Sequence, residues 1–284
     1  MNTKLYSVCV VATFALLSYG AYWGLVKAPE EATMGDAQRI FYIHVPAAAA
    51  GFTLFFINFI ASVIYLWKRS KKADAWALTT AEVGVVFCTV VLITGPIWAR
   101  YAWGKWWVWD MRLTTTLLLW LLYIAYMTLR RASEAASSAV LAAALAIFAF
   151  LDVPIVYMAN RWFRTNHPQP VIGTGNLDPQ MGHALMINMF AFLAFAGLIA
   201  WFRYELERAE QAVASLHLQK ETRRTAMAMA LPALLLFQAP HRPSPTTYMY
   251  AGYIAAWVIY ISYLLLLIRK VGRLKREGME LLGK

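Results

Sequence analysis

Apolar residues along this chain neither alternate nor recur at helical intervals; they run on in long blocks. Near-continuous apolar stretches cover about 5–26, 42–67, 79–99, 113–129, 139–159 and 183–202, with short polar segments between them. One bilayer crossing needs roughly 20 apolar residues. Inside lipid such a stretch satisfies its backbone only as a helix. The pattern predicts an all-α, polytopic membrane helix bundle with six core transmembrane helices in residues 1–204. The fourth stretch, Leu113–Leu129, is the shortest and sits at the lower limit for a crossing. Leu5–Val26 is long enough to span and has no convincing small-residue cleavage site, so it reads as a first span rather than a leader.

The pattern changes after the sixth stretch. Residues 205–224 are polar and charged and read as a cytoplasmic linker or helix. Residues 225–284 form a C-terminal unit with one or two membrane segments. Thr225–Ala239 is apolar but short, with Pro232 in its middle, and fits a thin crossing, a re-entrant segment or a processed junction equally well. His241–Thr247 is a proline-rich turn. Tyr248–Ile268 is a clear span whose far end carries Arg269, Lys270, Arg273, Lys275 and Arg276.

Composition agrees with the blocks: 61% of residues are hydrophobic and 14% charged, against about 25% charged in soluble domains. The net charge of +11 would suit a nucleic-acid partner if it formed one patch. It is distributed by topology instead. With a cytoplasmic N-terminus, the dense clusters Lys68–Lys72, Arg130-Arg131 and Arg223-Arg224 all fall inside, as the positive-inside rule requires. No nucleic-acid partner is expected. The two cysteines, Cys9 and Cys88, lie in apolar runs, and no Cys-x-x-Cys or Cys-x-x-Cys-His occurs, so neither a dithiol nor a covalent haem attachment is supported.

That orientation leaves three notable segments on the outer face. Residues 103–110 read Trp-Gly-Lys-Trp-Trp-Val-Trp-Asp, which places Trp103, Trp106, Trp107 and Trp109 within seven positions. Aromatic belts gather at any membrane interface, but they scatter over many helix ends and need no Gly and Asp among them. If 100–110 is helical, Trp103, Trp106, Trp107 and Asp110 share one face, with Trp109 beside Trp106. Such a plate would suit a flat apolar ligand, and Arg100, Lys105 and Arg112 supply cations for its acidic groups. The second segment holds His44 before Pro46, and the third holds His167 before Pro168. A lone interfacial His is more often a hydrogen-bonded surface residue. Two of them flanking a Trp-rich segment favour a pair of axial ligands to haem iron. His183 is a third candidate without aromatic or basic company in sequence, and His217 and His241 read as bystanders. Glu82 and Asp152, near or within spans, read as helix-packing partners. Asn176 and Asp178, beside Gly173 and Gly175, read as turn chemistry.

The run from Trp103 to Thr114 resembles the tryptophan-rich WWD signature of haem-handling proteins, and its Arg-Leu-Thr ending resembles the CcmC family of cytochrome c maturation. His44-Val-Pro-Ala-Ala48 and Trp162-Phe163 with His167-Pro168 resemble that family's two histidine motifs. The resemblance covers about seven-tenths of the chain. It implies a haem-binding and transfer component rather than an enzyme, in a bacterial inner membrane, with b-type haem held at the periplasmic face. His44 and His167 would be the axial ligands. Trp103, Gly104, Trp106, Trp107, Trp109, Asp110 and Arg112 would form the binding surface. Implied partners are the haem chaperone CcmE and the ABC-transporter subunits CcmA and CcmB. The C-terminal unit, with its aromatic outer end and basic inner end, resembles the single-span partner CcmD, here fused to the chain. Two other readings compete. A membrane b-type cytochrome would place its histidines within facing spans. A haem exporter would line a midplane path with polar residues, and these spans hold few.

Overall fold

The computed structural model describes residues 3–132, 136–169, 177–221 and 245–281. Eight α-helices are found there: α1 (Thr3–Tyr22), α2 (Phe41–Lys68), α3 (Lys71–Trp103), α4 (Met111–Ala132), α5 (Ala136–Phe150), α6 (Asp152–Trp162), α7 (Pro179–Glu221) and α8 (Pro245–Leu281). A π-helical turn, Trp23–Lys27, extends α1, and a 3-10 turn, Asp36–Ile40, leads into α2. Seven helical stretches are long and apolar enough to cross a membrane, among them all six expected core spans and the C-terminal one. The chain is a multi-pass membrane helix bundle. The short segment Thr225–Ala239 lies outside the described residues, as do residues 222–224 of the expected linker. The rest of the expected linker continues α7 without a break.

The fifth span is broken into α5 and α6. Pro154 has no N–H to give to the helical acceptor four residues back, and the chain turns at Leu151, whose N–H reaches the Phe148 carbonyl at 3.1 Å. The α2–α3 corner has its own local chemistry. Arg69 ends α2 in the left-handed region (φ 51°), and the Ser70 hydroxyl accepts the Ala73 N–H to begin α3.

Helices in lipid gain little by burying apolar surface against one another, so close packing and interhelical hydrogen bonds must hold them. Both are present. A Cβ at Gly84 of α3 would lie 2.6 Å from the Phe55 ring of α2, so only glycine allows that approach. Asn58 of α2 donates to the Ala77 carbonyl of α3 at 2.7 Å, and Asn188 of α7 to the Gly20 carbonyl of α1 at 2.9 Å. Phe87, Phe192, Phe195 and Tyr260 bring α3, α7 and α8 together in the largest core cluster. At one end of the bundle Glu82 pairs with Arg203 at 3.0 Å and accepts from Tyr263 at 2.9 Å, as a helix-packing partner should. At the opposite end α2 and α7 begin, α3 ends and α4 begins, and α6 ends. The candidate site forms there.

Candidate functional site

His44 sits one turn into α2 and faces α3. Its Nδ1 lies 2.8 Å from Thr94 Oγ1. Thr94 is fully buried, and its hydroxyl also lies 2.8 Å from the Val90 carbonyl of its own helix. A carbonyl can only accept, so the single hydroxyl proton goes to Val90 and Oγ1 accepts from His44 Nδ1–H. The lone pair of His44 is thereby left on Nε2. Gly95 lies beside the ring: a Cβ there would come to 3.4 Å from His44 Cε1, about van der Waals contact.

His167 belongs to the connection that follows α6. Its Nδ1 is 3.0 Å from the Pro168 carbonyl and 3.1 Å from the Asn160 side-chain amide nitrogen, so Nδ1 is engaged within the connection and Nε2 is the nitrogen not used there. Asn160, at the end of α6, donates to the same carbonyl at 2.7 Å, and Gln169 donates to the Asn160 carbonyl at 3.2 Å. These bonds fold the connection back onto α6. Burial, then the nearby Arg112 guanidinium, push the His167 imidazole down to about 4, so at neutral pH it is uncharged. His44 lies within electrostatic range of both His167 and Arg112. The structure therefore brings together three residues that are far apart in sequence. Arg112 is partly buried and makes no ion pair among the described residues.

The Trp-rich segment is not the helix that its spacing allowed. α3 stops at Trp103, and residues 104–110 carry no helix. Gly104 takes the left-handed conformation (φ 71°) that ends helices and that side chains with a Cβ resist. The Arg100 guanidinium donates to the Gly104 carbonyl and fastens the turn. The four indoles consequently form no continuous plate. Trp103 meets Trp98 edge-on at 5.4 Å, and Trp107 meets Trp109 edge-on at 5.6 Å. Trp106 and Trp109 are 57% and 76% exposed, with the Arg100 guanidinium 5.9 Å from the Trp106 ring centre. Trp107 differs from these two: its indole N–H is buried and has no partner among the described residues. Such an orphan donor calls for an acceptor that the polypeptide does not provide.

Asp110 joins the segments. One carboxylate oxygen accepts the Leu113 N–H at 3.0 Å and caps α4. The other accepts the Asn166 N–H at 3.1 Å, next to His167. His183 is exposed and packs edge-on against Trp23 at 4.5 Å, apart from this group. The side chain of His217, all of His241 and the glycines 173 and 175 with Asn176 lie outside the described residues; Asp178 caps the start of α7 through the Gln180 N–H. Thr94, Trp98, Asn160 and Asn166 were not singled out from sequence. For Thr94 a sign was there: a hydroxyl beside Gly95-Pro96, deep in an apolar run, must find a partner.

The donor set suits a flat, dianionic metalloporphyrin. It offers two imidazoles whose Nδ1 atoms are engaged by the polypeptide, a guanidinium within electrostatic range of both, an indole N–H without a partner among the described residues and exposed aromatic surface.

Known proteins agree in kind. A family model described as Heme exporter protein C, CcmC, matches residues 1–219. The Heme exporter protein C of Escherichia coli strain K12 is 31% identical over 208 residues, covering 70% of this chain and 85% of that protein. Its counterpart in Bradyrhizobium diazoefficiens is 35% identical over 219 residues, covering 75% and 82%. A putative cytochrome c biosynthesis ccmC-like mitochondrial protein of Marchantia polymorpha is 30% identical over 183 residues, covering 64% and 75%. With both histidines and the tryptophan-rich turn lying inside the matched span, this chain belongs to the heme exporter protein C (CcmC) family.

Proposed function

We propose that the chain handles haem during cytochrome c maturation, binding b-type haem as cargo between His44 and His167 and passing it to the haem chaperone CcmE. The observation that carries this reading is that the two imidazoles, each with Nδ1 engaged by the polypeptide, lie within electrostatic range of each other and of Arg112. Haem iron, when bound, would supply Lewis acidity toward the imidazole nitrogens of His44 and His167. The residues of the chain do the rest. His44, on a membrane helix, is the fixed donor. His167, on a connection tied to α6 through Asn160 and Gln169 and to Asp110 through Asn166, is the donor that can be withdrawn. Arg112 and the Trp107 N–H offer partners to the propionates. Trp106 and Trp109, more than half exposed, leave one side open to a second protein.

In this reading the site faces the periplasm, because the arginine and lysine clusters lie at the opposite end of the bundle and mark the cytoplasmic side. CcmA and CcmB would be the transporter subunits that act with the loaded chaperone, and α8 would take the place of a separate CcmD. The chain would act as a binding and transfer component and not as an enzyme. A b-type cytochrome is disfavoured because His167 lies in a connection and not on a helix facing α2.

Crosslinking to purified chaperone with and without haem tests the transfer step. A complex that forms only with haem, and is lost in His167→Ala, is expected. Equal crosslinking in the absence of haem, or none under either condition, would overturn it.

A further inference from the structure

The proposed haem site explains what the histidines bind but not what determines their donor atoms. Both engage Nδ1 on one side of the ring. His44 Nδ1–H points at a hydroxyl oxygen, and His167 Nδ1 lies against the Pro168 carbonyl and the Asn160 side-chain amide. Metal-binding histidines commonly give this proton to a carboxylate, which raises their basicity and fixes the tautomer. Here Asp110, the carboxylate within electrostatic range of His167, is held by two backbone amides instead. Both rings therefore stay neutral imidazoles rather than gaining imidazolate character.

Thr94 is the more constrained of the two acceptors. It is fully buried on α3, fifty positions from His44, and its proton is fixed on the Val90 carbonyl of its own helix. Oγ1 can then do only one thing for His44, which is accept. A threonine whose hydroxyl merely bonded back to its own helix would have no need to meet an imidazole at 2.8 Å. Gly95, the next residue, packs beside the same ring.

We infer that Thr94 is a positioning residue for the haem ligand His44, its hydroxyl oxygen taking the Nδ1 proton so that Nε2 alone faces the iron as a neutral imidazole. The inference rests on the proposed haem site. Removing the acceptor frees the ring to rotate and withdraws electron density from its iron-facing nitrogen.

The test uses the full-length, haem-loaded protein with Thr94→Val, which keeps the shape and removes the oxygen, and Thr94→Ser, which restores it. Two quantities are read: the rate of haem loss to excess apomyoglobin and the haem reduction potential. Thr94→Val should lose haem about ten-fold faster or more, the usual scale for such a partner, with a potential shifted upward. Thr94→Ser should return both toward wild type. Should Thr94→Val fold poorly by circular dichroism, Thr94→Ala is expected to give the same pair of shifts. Wild-type rate and potential in Thr94→Val would overturn the assignment. So would a loss that serine does not rescue, which would mean packing alone. A wild-type haem spectrum indifferent to His44→Ala would take down the haem site itself, and this inference with it.

Discussion

Asp110 commits both carboxylate oxygens to backbone amides, one at the start of α4 and one beside His167. The acid of the Trp-rich signature is thus a joint: it sets where α4 begins and holds the His167 connection near the turn. Losing an N-cap costs about 1 kcal/mol, and losing the tie to Asn166 frees the histidine it adjoins. Asp110→Ala should lower thermal stability in detergent modestly and weaken haem binding by a larger factor. Asp110→Asn, with one acceptor oxygen left for two amides, should fall between. Haem titration alongside thermal unfolding checks this, and an unchanged titration in Asp110→Ala would remove the joint role. The other residues of the signature divide by burial. Trp107 turns a buried N–H inward, while Trp106 and Trp109 stay on the surface, a division that composition alone could not supply.

α8 is the element that lies beyond the family match, which ends at residue 219. It packs into the bundle from Met249 to Lys270. Near the site, a Cβ at Gly252 would lie 3.1 Å from Ile40, in the turn that leads into His44, and Tyr253 donates to the Arg39 carbonyl at 3.4 Å. Midway, Tyr260 is fully buried against Phe87 and Phe195. At the far end Tyr263 reaches Glu82, and Lys270 pairs with Glu210 at 2.5 Å. Gly252→Val should push against the start of α2 and reduce haem occupancy several-fold. Gly272→Val, on the same helix with open space around it, should not. Haem-to-protein ratios of the two purified variants decide the matter, with circular dichroism to show that both fold. Equal occupancy in both variants would mean that α8 does not bear on the site. The sequence announced α8 as a span, since its apolar run and basic end are unmistakable. Its docking was not legible, because a helix that is apolar all round shows no face. The opposite error concerned 104–110, where three- and four-residue spacing suggested a helix and Gly104 ended one.

At the scale of the molecule, the apolar blocks carried the architecture. Each of the six predicted core spans corresponds to a helix or, for 139–159, to the α5–α6 pair broken ahead of Pro154. The candidate site was legible as a set of residue types: His44, His167, Arg112 and the indoles. Their geometry was not. Nothing in sequence places Thr94 on His44 across fifty residues, or Asp110 on Asn166 across fifty-six. Those contacts follow from how α2, α3 and α6 pack, and packing in lipid depends on glycines and buried polar pairs that leave little periodic trace. The central claim remains the pairing of His44 and His167 on one haem. Absorption and electron paramagnetic resonance spectra of the purified haem-loaded protein test it most directly. The account predicts six-coordinate, low-spin ferric haem in the wild type, and either loss of haem or conversion to a five-coordinate, high-spin form in each of His44→Ala and His167→Ala. An unchanged six-coordinate spectrum in either variant would contradict it.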